Sequence, residues 1–187
     1  MTRRSVKIIL AAAAVACVCA PTPARADIFF VPWFGSAFAK EPDHTARSSV
    51  GVSVGGLSNG QLFGFEFDFG YTPSFFGSED DVSKNAMVTT MVDVLAGPSF
   101  ETNAGKGVRP YGAFGVGLMH AKVDPNATND FGWNAGAGAM GFLSRNIGVR
   151  FDIRYVHSVD NTSAANTVQI EPGAIHFWRT AVGLIVR

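Results

Sequence analysis

The segment from Gln61 to Tyr71, QLFGFEFDFGY, alternates strictly between aromatic residues and small or acidic ones. Successive side chains of a β-strand point to opposite faces, so the aromatic rings share one face, and Glu66 and Asp68 lie on the other. Two arrangements satisfy this pattern. Either the rings pack in a protein core and the acids meet water, or the rings meet lipid and the acids point into a polar barrel lumen. The remainder of the chain favours lipid.

The same alternation recurs in eight segments, each about as long as the ~9–11 residues of a tilted membrane-spanning strand. We predict strands at Ile28 to Ala39, Ser48 to Leu57, Gln61 to Tyr71, Ala86 to Gly97, Arg109 to Lys122, Phe131 to Phe142, Ile147 to Val159 and Ala174 to Val186. Glycine-rich stretches weaken the pattern in the fifth and sixth of these strands, because glycine contributes no side-chain packing.

The connections between the segments alternate in length. Long polar connections are expected at Lys40 to Arg47, Thr72 to Asn85, Val123 to Asp130 and Asp160 to Gly173, tight turns at Ser58 to Gly60 and Ser144 to Asn146, and an intermediate connection at Glu101 to Gly107. Long loops at one end and short turns at the other are typical of outer-membrane barrels, whose long loops face outward. We therefore expect the loops around His44, Asp80, Asn126 and Asn166 outside the cell.

The two faces of the predicted strands differ in chemistry throughout the chain. One face carries Val50, Val52, Val54, Phe63, Phe65, Phe67, Phe69, Val88, Thr90, Val92, Val94, Phe114, Val116, Leu118, Trp178, Thr180, Val182 and Leu184, and the other carries serines, glycines and charged residues. The interior of a soluble eight-stranded barrel is only just wide enough for side chains and would not hold so many rings and branched residues. Lipid can solvate that face instead. The sequence thus predicts an all-β fold, an eight-stranded antiparallel up-and-down transmembrane β-barrel.

Strand parity also predicts a charged lumen with four acids and four bases. These are Glu66, Asp68, Asp93, Asp152, Arg109, Arg150, Arg154 and Arg179. An unpaired charge in such an interior costs several kcal/mol, so arginine forks that bridge carboxylates are expected, and the barrel should conduct poorly. Asp152 and Arg179 lie on strands that should be neighbours, which makes them the first expected pair. Arg187 is expected to be neutral for both stability and leakage.

The first residues are typical of a signal peptide. Arg3, Arg4 and Lys7 precede an apolar run from Ile8 to Ala20, and Ala24-Arg25-Ala26 forms a cleavage motif. The run is shorter than the ~20 residues that a spanning helix requires. We predict a signal peptide at 1–26, cleaved after Ala26, and one β-barrel domain at 27–187 in the outer membrane. Cleavage leaves 11 of the 15 bases against 15 acids and no cysteine, so nucleic acid is not an expected partner.

Four stretches carry a resemblance to a known family. They are RPYGAFGVGLMHAKV (Arg109 to Val123), NDFGWNAGAGAMGFL (Asn129 to Leu143), GVRFDIRYVHS (Gly148 to Ser158) and FWRTAVGLIVR (Phe177 to Arg187). They resemble the outer-membrane β-barrel domain family, the small OmpA-like and porin-like barrels. The resemblance implies an eight-stranded barrel in a Gram-negative-type outer membrane, inserted by the barrel-assembly machinery, and implies no reaction. Such barrels commonly end in an aromatic residue, whereas this sequence ends in Val186-Arg187.

One group of residues invites an enzymatic interpretation. His157 and Ser158, followed by Asp160, Asn161, Ser163 and Glu171, supply a nucleophile, a base and an acid close in sequence. Lipid A deacylases use such a set, but their H-x-S-N pattern is not met, and parity puts His157 and Ser158 on opposite faces. We predict no catalytic residue and no cofactor. The expected function is a non-enzymatic structural or surface-interaction component of the cell envelope; a narrow porin for small solutes and a lipid A acyl hydrolase are the alternatives.

The outer rim of the barrel offers a possible lipid contact. Lys40, His120, Lys122 and His176 are predicted to project outward at headgroup level, where cations meet the phosphates of lipopolysaccharide; snorkelling without a specific lipid is the alternative. No metal site is expected, because the four histidines lack ligand spacing and those on strands should face lipid rather than one another. Phe75 and Phe76, in a long loop, are interpreted as interfacial anchors or as part of a binding loop. A monomer is expected.

Overall fold

The computed structural model describes residues 26–39, 46–58, 62–76, 85–102, 105–123, 126–159 and 175–187. These residues form β1 (Ala26–Ala39), β2 (Arg47–Ser58), β3 (Phe63–Pro73), β4 (Asn85–Ala96), β5 (Phe100–Glu101), β6 (Gly107–Val123), β7 (Asn126–Phe142), β8 (Ile147–Ser158) and β9 (His176–Val186). In this part of the chain no helix is long and apolar enough to cross a membrane.

The strands close into a barrel. Each long strand pairs antiparallel with the long strands before and after it in the chain. Accordingly β4 pairs directly with β6, although the short β5 lies between them in sequence, and β9 pairs with β1 to complete the ring. The two residues of β5 only extend the hairpin that leads into β6. The prediction of an eight-stranded antiparallel up-and-down barrel is therefore confirmed. We call the end that carries the β1–β2, β3–β4, β6–β7 and β8–β9 connections the upper end, and the opposite end the lower end.

One predicted loop is wrong. Val123 to Asp130 was expected to be a long connection, but β7 begins at Asn126, which pairs with Val123 in a hairpin whose two strands have 17 residues each. The residues Asn126 to Asp130 are turn formers by composition, yet the ladder with β6 supplies their backbone partners. Asn126 is thus part of a strand, and the loops around His44, Asp80 and Asn166 lie outside the described residues.

The expected division of the two faces is confirmed. Phe63, Phe65 and Phe67 are 60%, 66% and 47% exposed, whereas Glu66 and Asp68 between them are 2% and 1% exposed. Branched and aromatic side chains cover the outside of the other strands in the same way. This distribution is the reverse of that in a soluble barrel, and it follows from lipid being the solvent of the outer face.

The interior is less polar than the sequence suggested. A lower apolar cluster contains Phe29, Val31, Leu57, Leu95, Tyr111, Ala113, Met140, Phe142 and Ile185. An upper apolar cluster contains Ala37, Phe75, Met87, Met91, Met119, Ala121, Val156 and Phe177. A zone of charged residues lies between the two clusters, and two further buried charged residues of the described strands lie nearer the ends, Arg109 at the lower end and Asp130 near the upper end. Phe75 is accordingly not a lipid-facing anchor: it is buried, and its ring lies 5.0 Å from that of Phe177 at a steep angle.

Candidate functional site: the charged interior

Between the two apolar clusters lies a central polar layer, to which six strands contribute. Its members are Ser53 on β2, Glu66 and Asp68 on β3, Asp93 on β4, Asn134 on β7, Arg150, Asp152 and Arg154 on β8, and Arg179 on β9. Each of them is at most 4% exposed. Because the strands alternate residue by residue, every second position of each strand faces the lumen, and those at mid-height form this layer.

Two arginines from β8 hold three carboxylates of the layer. Arg150 forms a fork with Glu66, in which Nη2 donates to Oε1 at 3.0 Å and Nη1 donates to Oε2. Arg154 donates from Nη2 to Oε1 of Glu66 at 2.6 Å and from Nη1 to Oδ2 of Asp93. Nη2 of Arg150 also lies 2.9 Å from Oδ2 of Asp152. These pairs link β3 and β4 to β8 across the lumen.

The third arginine of the layer has a different partner from the one predicted. Nη1 of Arg179 lies 2.8 Å from Oδ2 of Asp68, and the guanidinium sits over the ring of Trp33, 4.3 Å from its centroid. Trp33 Nε1 and Ser53 Oγ donate to the other oxygen of Asp68, at 3.1 and 2.7 Å. The predicted pairing of Asp152 with Arg179 is therefore wrong. β8 and β9 are neighbours, but their register sets Asp152 opposite Ala181 and Arg154 opposite Arg179.

Two uncharged residues that bind these charged groups were missed by the sequence interpretation: Asn134, a member of the layer, and Tyr111 of the lower apolar cluster, whose hydroxyl group reaches the layer. Tyr111 accepts a hydrogen bond from Nε of Arg150 at 2.7 Å and donates to Oδ2 of Asp152 at 3.2 Å. Asn134 donates from Nδ2 to Oδ1 of Asp93 at 2.6 Å. Tyr111 stands two residues after Arg109, so the period of two already placed it on the lumen side, and a search for neutral polar residues of that parity would have found it.

Two of the glycines that weakened the strand pattern make room for charged side chains. A Cβ at Gly115 would stand 1.7 Å from Oδ1 of Asp93, and one at Gly136 would stand 2.9 Å from Cγ of Arg154. Any larger residue at these two positions would displace a member of the layer. Glycine at these two positions of β6 and β7 is thus a packing requirement of the interior.

The eighth predicted lumen residue, Arg109, does not join the central layer. It is buried at the lower end, where Glu101 and Arg187 act on it electrostatically. There Arg187 forms a fork with Glu101, with distances of 2.9 and 3.1 Å, and its guanidinium lies 3.6 Å from the ring centroid of Phe142. Partial burial opposes ionisation of Glu101, but the hydrogen bonds and charge of Arg187 hold the pKa of that carboxyl below its usual value. Arg187 therefore makes structural contacts, and these contacts argue against the prediction that it matters for neither stability nor leakage.

The predicted rim residues do not gather into one cluster. Lys122 is exposed near the upper end of β6, and Nδ1 of the neighbouring His120 lies 2.6 Å from Oδ1 of Asn129. His176 lies on β9, three strands along the barrel wall from β6, and its ring stacks on that of His157 with 6.1 Å between the centroids. Lys40 lies outside the described residues. The expectation that the strand histidines do not face one another is wrong for His157 and His176, because the β8–β9 register makes them direct partners.

Outward-facing rings around this histidine pair form an aromatic patch that the sequence interpretation missed. Its members are Phe114, Trp133, Tyr155, His157, His176 and Trp178, and they span β6 to β9. Trp133 and His157 stack at 5.5 Å with an angle of 11°. The residues come from four strands, so only the pairing register could reveal that they touch.

The candidate nucleophile and base of an enzyme are separated by the barrel wall. Ser158 is buried on the lumen side, whereas His157 stands on the outside in the aromatic patch. Asp160, Asn161, Ser163 and Glu171 lie outside the described residues. The parity argument of the sequence therefore holds for His157 and Ser158.

Comparison with known proteins agrees with this architecture. Among solved structures, Neisserial surface protein A aligns with a TM-score of 0.64 at 15% identity, over 87% of this chain and 98% of its own. The outer membrane enzyme PagL aligns with a TM-score of 0.50 at 13% identity, over 85% and 99%. A major outer membrane protein from Thermus thermophilus gives 0.50 and 13%, over 86% and 99%. At these identities the likeness shows the fold alone.

Sequence comparison identifies the family. No relative was found among the curated proteins. The sequence model of the outer membrane protein beta-barrel domain, however, matches residues 10–174, which is most of the chain. The match covers all of the strands except the last, and that strand closes the ring in the structure. The chain belongs to the outer membrane protein β-barrel domain family, and its place is the outer membrane.

Proposed function

We propose that this protein is a non-enzymatic, closed barrel that serves as a structural or surface-interaction component of the outer membrane. The observation that carries the proposal is the filled interior. An ion crossing the lumen would meet the lower apolar cluster, then the central polar layer, then the upper apolar cluster. Eight strands leave little space once side chains are in place, and these clusters and ion pairs occupy that space.

The two alternatives have less support. A narrow porin requires a continuous polar path, whereas Met140 and Ile185 below the layer and Met119 above it are fully buried apolar side chains. A lipid A acyl hydrolase draws on the similarity in fold to PagL, which does not carry a reaction to this chain at 13% identity. His157 and Ser158 on opposite sides of the wall also argue against a shared catalytic site.

The proposal predicts that the purified wild-type protein inserts into planar lipid bilayers without forming a stable open channel. The physical reason is that opening would break several buried ion pairs at once, and each buried carboxylate left alone costs several kcal/mol. The measurement is single-channel recording, with co-flotation of the protein with vesicles as proof of insertion. The matched positive control is the triple variant Met119→Gly, Met140→Gly and Arg154→Ala, which removes one large side chain from each cluster and one from the layer between them. A large, stable wild-type conductance would support the porin instead.

We further propose that the upper rim contacts the phosphates of lipopolysaccharide. The exposed Lys122 beside His120 supports this proposal, since an ammonium group near an anionic lipid surface contributes about 1 kcal/mol. Lys122→Gln should therefore lower the amount of lipopolysaccharide that co-purifies with the barrel. The control is Lys106→Gln, an exposed lysine at the lower end. Equal amounts in wild type and Lys122→Gln would count against a specific contact.

A further inference from the structure

The charges of the central polar layer do not balance. It contains four carboxyl groups, from Glu66, Asp68, Asp93 and Asp152, but only three guanidinium groups, from Arg150, Arg154 and Arg179. The fourth predicted base, Arg109, lies at the lower end in the field of Glu101 and Arg187. Within the described residues, a fully ionised layer would therefore carry one excess negative charge.

The position of the layer makes that excess charge costly. Apolar clusters cover it on both sides, and all four acids are at most 4% exposed. Bulk water cannot solvate a charge there, and an ion without a partner in such surroundings is normally neutralised rather than kept. Neutrality requires either one proton on a carboxyl group or one small bound cation.

The cross-strand register singles out two of the acids. Glu66 on β3 and Asp93 on β4 are direct partners on the same face of the barrel. Side chains in that relation stand about 4.5–5.5 Å apart at Cβ, and like charges there repel each other. Two carboxyl groups that share a site tend to ionise only once. Asp68 is a further negative neighbour of Asp93, whereas Arg154 is its cationic neighbour.

Hydrogen bonds show which of the two is better suited to stay ionised. Glu66 accepts three bonds from the guanidinium groups of Arg150 and Arg154. Asp93 accepts one bond from a guanidinium group, that of Arg154, which it shares with Glu66. Asp68 lies 2.8 Å from Arg179 and also accepts hydrogen bonds from Trp33 and Ser53. Asp152 lies beside both Arg150 and Arg154 and accepts a hydrogen bond from Tyr111. Asp93 is thus the acid that loses least when it takes up a proton.

The neighbour of Asp93 on β7 supplies an acceptor for such a proton. The Asn134 amide lies within hydrogen-bond distance of Oδ1 of Asp93, at 2.6 Å. Oδ1 of Asn134 is buried and has no hydrogen-bond partner. Rotation of the amide by half a turn would bring this oxygen to Asp93, where it could accept the proton.

We propose that the sealed layer binds one proton on Asp93, so that four carboxyl groups are balanced by three guanidinium groups and this proton. The groups that face Asp93 are Glu66 and Asp68 from β3, Arg154 from β8 and the neutral Asn134 from β7; β6 presents Gly115 there. The proposal concerns the ionisation of the interior and does not depend on whether the barrel conducts.

A bound proton makes folding depend on pH in a defined direction. An unfolded aspartic acid releases its proton at about pH 4. Above that pH, folding takes up one proton. The stabilisation that this proton gives is complete below about pH 4. As the pH rises further, the folding equilibrium constant falls by about tenfold per pH unit, until the folded barrel also releases the proton. Asp93→Asn replaces the protonated acid with a neutral isostere and should remove this slope.

The test compares wild type, Asp93→Asn and Asp68→Asn in lipid vesicles. Infrared spectroscopy separates the C=O stretch of a protonated carboxylic acid from carboxylate bands. At pH 7 we expect one such band in the wild type and its loss in both Asp93→Asn and Asp68→Asn, because either change leaves three carboxylates balanced by three guanidinium groups. Absence of the band from the wild type, or its survival in Asp93→Asn, overturns the proposal. Should Asp68→Asn fail to fold, the comparison of wild type with Asp93→Asn remains decisive.

A second measurement distinguishes a proton from a metal cation. Urea unfolding at pH 7 is repeated with sodium and potassium replaced by choline at constant ionic strength. We expect an unchanged unfolding midpoint, together with a pH slope that is present in wild type and absent in Asp93→Asn. A midpoint that falls when alkali cations are removed would mean that a cation balances the layer, and would overturn the assignment of a proton.

Discussion

Replacing Arg154 by methionine is expected to lower the free energy of unfolding by about 3–5 kcal/mol. Arg154 is 1% exposed, and its guanidinium binds Glu66 and Asp93 and lies 3.5 Å from Asp152. Methionine replaces the aliphatic stem of arginine but has no guanidinium group, so the carboxylates would keep only the partners that remain. Equilibrium unfolding by urea in lipid vesicles measures the change. If the variant does not fold, its altered migration on unheated gels reports the loss directly.

The matched control for this variant is Lys106→Met. Lys106 is an exposed base in the hairpin before β6, outside the interior. Its replacement should change the free energy of unfolding by no more than about 0.5 kcal/mol, as is usual for an exposed position. An Arg154→Met variant as stable as this control would show that the ion pairs of the layer contribute little, and would weaken the explanation of the closed lumen.

Replacing Arg179 by alanine is expected to have the second largest effect, again about 3–5 kcal/mol, because it leaves Asp68 without its guanidinium partner and uncovers the ring of Trp33. A double-mutant cycle with Asp68→Ala isolates the pair. We expect a coupling of about 1–3 kcal/mol, since the two residues are in direct contact.

The cycle that pairs Arg179→Ala with Asp152→Ala is the matched comparison. Asp152 lies in the same layer, but its nearest guanidinium belongs to Arg150. Its coupling to Arg179 should be clearly smaller than that of Asp68. A larger coupling of Arg179 to Asp152 than to Asp68 would favour the pair predicted from the sequence and contradict the pair in the structure.

Several parts of the architecture were accessible from the sequence. The alternation in β3 identified the strand, assigned Phe65 and Phe67 to the outside and sent Glu66 and Asp68 inward. The physical reason is local: a strand has a period of two whatever surrounds it, and lipid requires the apolar face to be outermost. The closed ring follows from the same requirement, because no strand can leave its backbone groups unpaired in hydrocarbon.

Other local features were misread because composition is a weak guide to pairing. Asn126 to Asp130 contains turn formers, but the ladder to β6 extends the hairpin through them. Gly115 and Gly136 weakened the strand pattern, whereas in the folded barrel they are the gaps into which Asp93 and Arg154 fit. Phe75 followed a strand and suggested an interfacial anchor, but it packs inside the barrel against Phe177.

The sequence by itself determined the strands, their faces and the set of charges that would share the interior, because each of these depends on residue type and on a period of two. Only the tertiary structure decided which charges meet. Long arginine side chains cross the lumen, so Arg150 and Arg154 reach Glu66 more than 80 positions away in sequence, and Arg179 reaches Asp68 rather than Asp152. Those contacts depend on the register of the strands and on closure of the ring, which strand patterning does not encode. The same holds for the separation of Arg109 from the layer and for the excess of one carboxyl group.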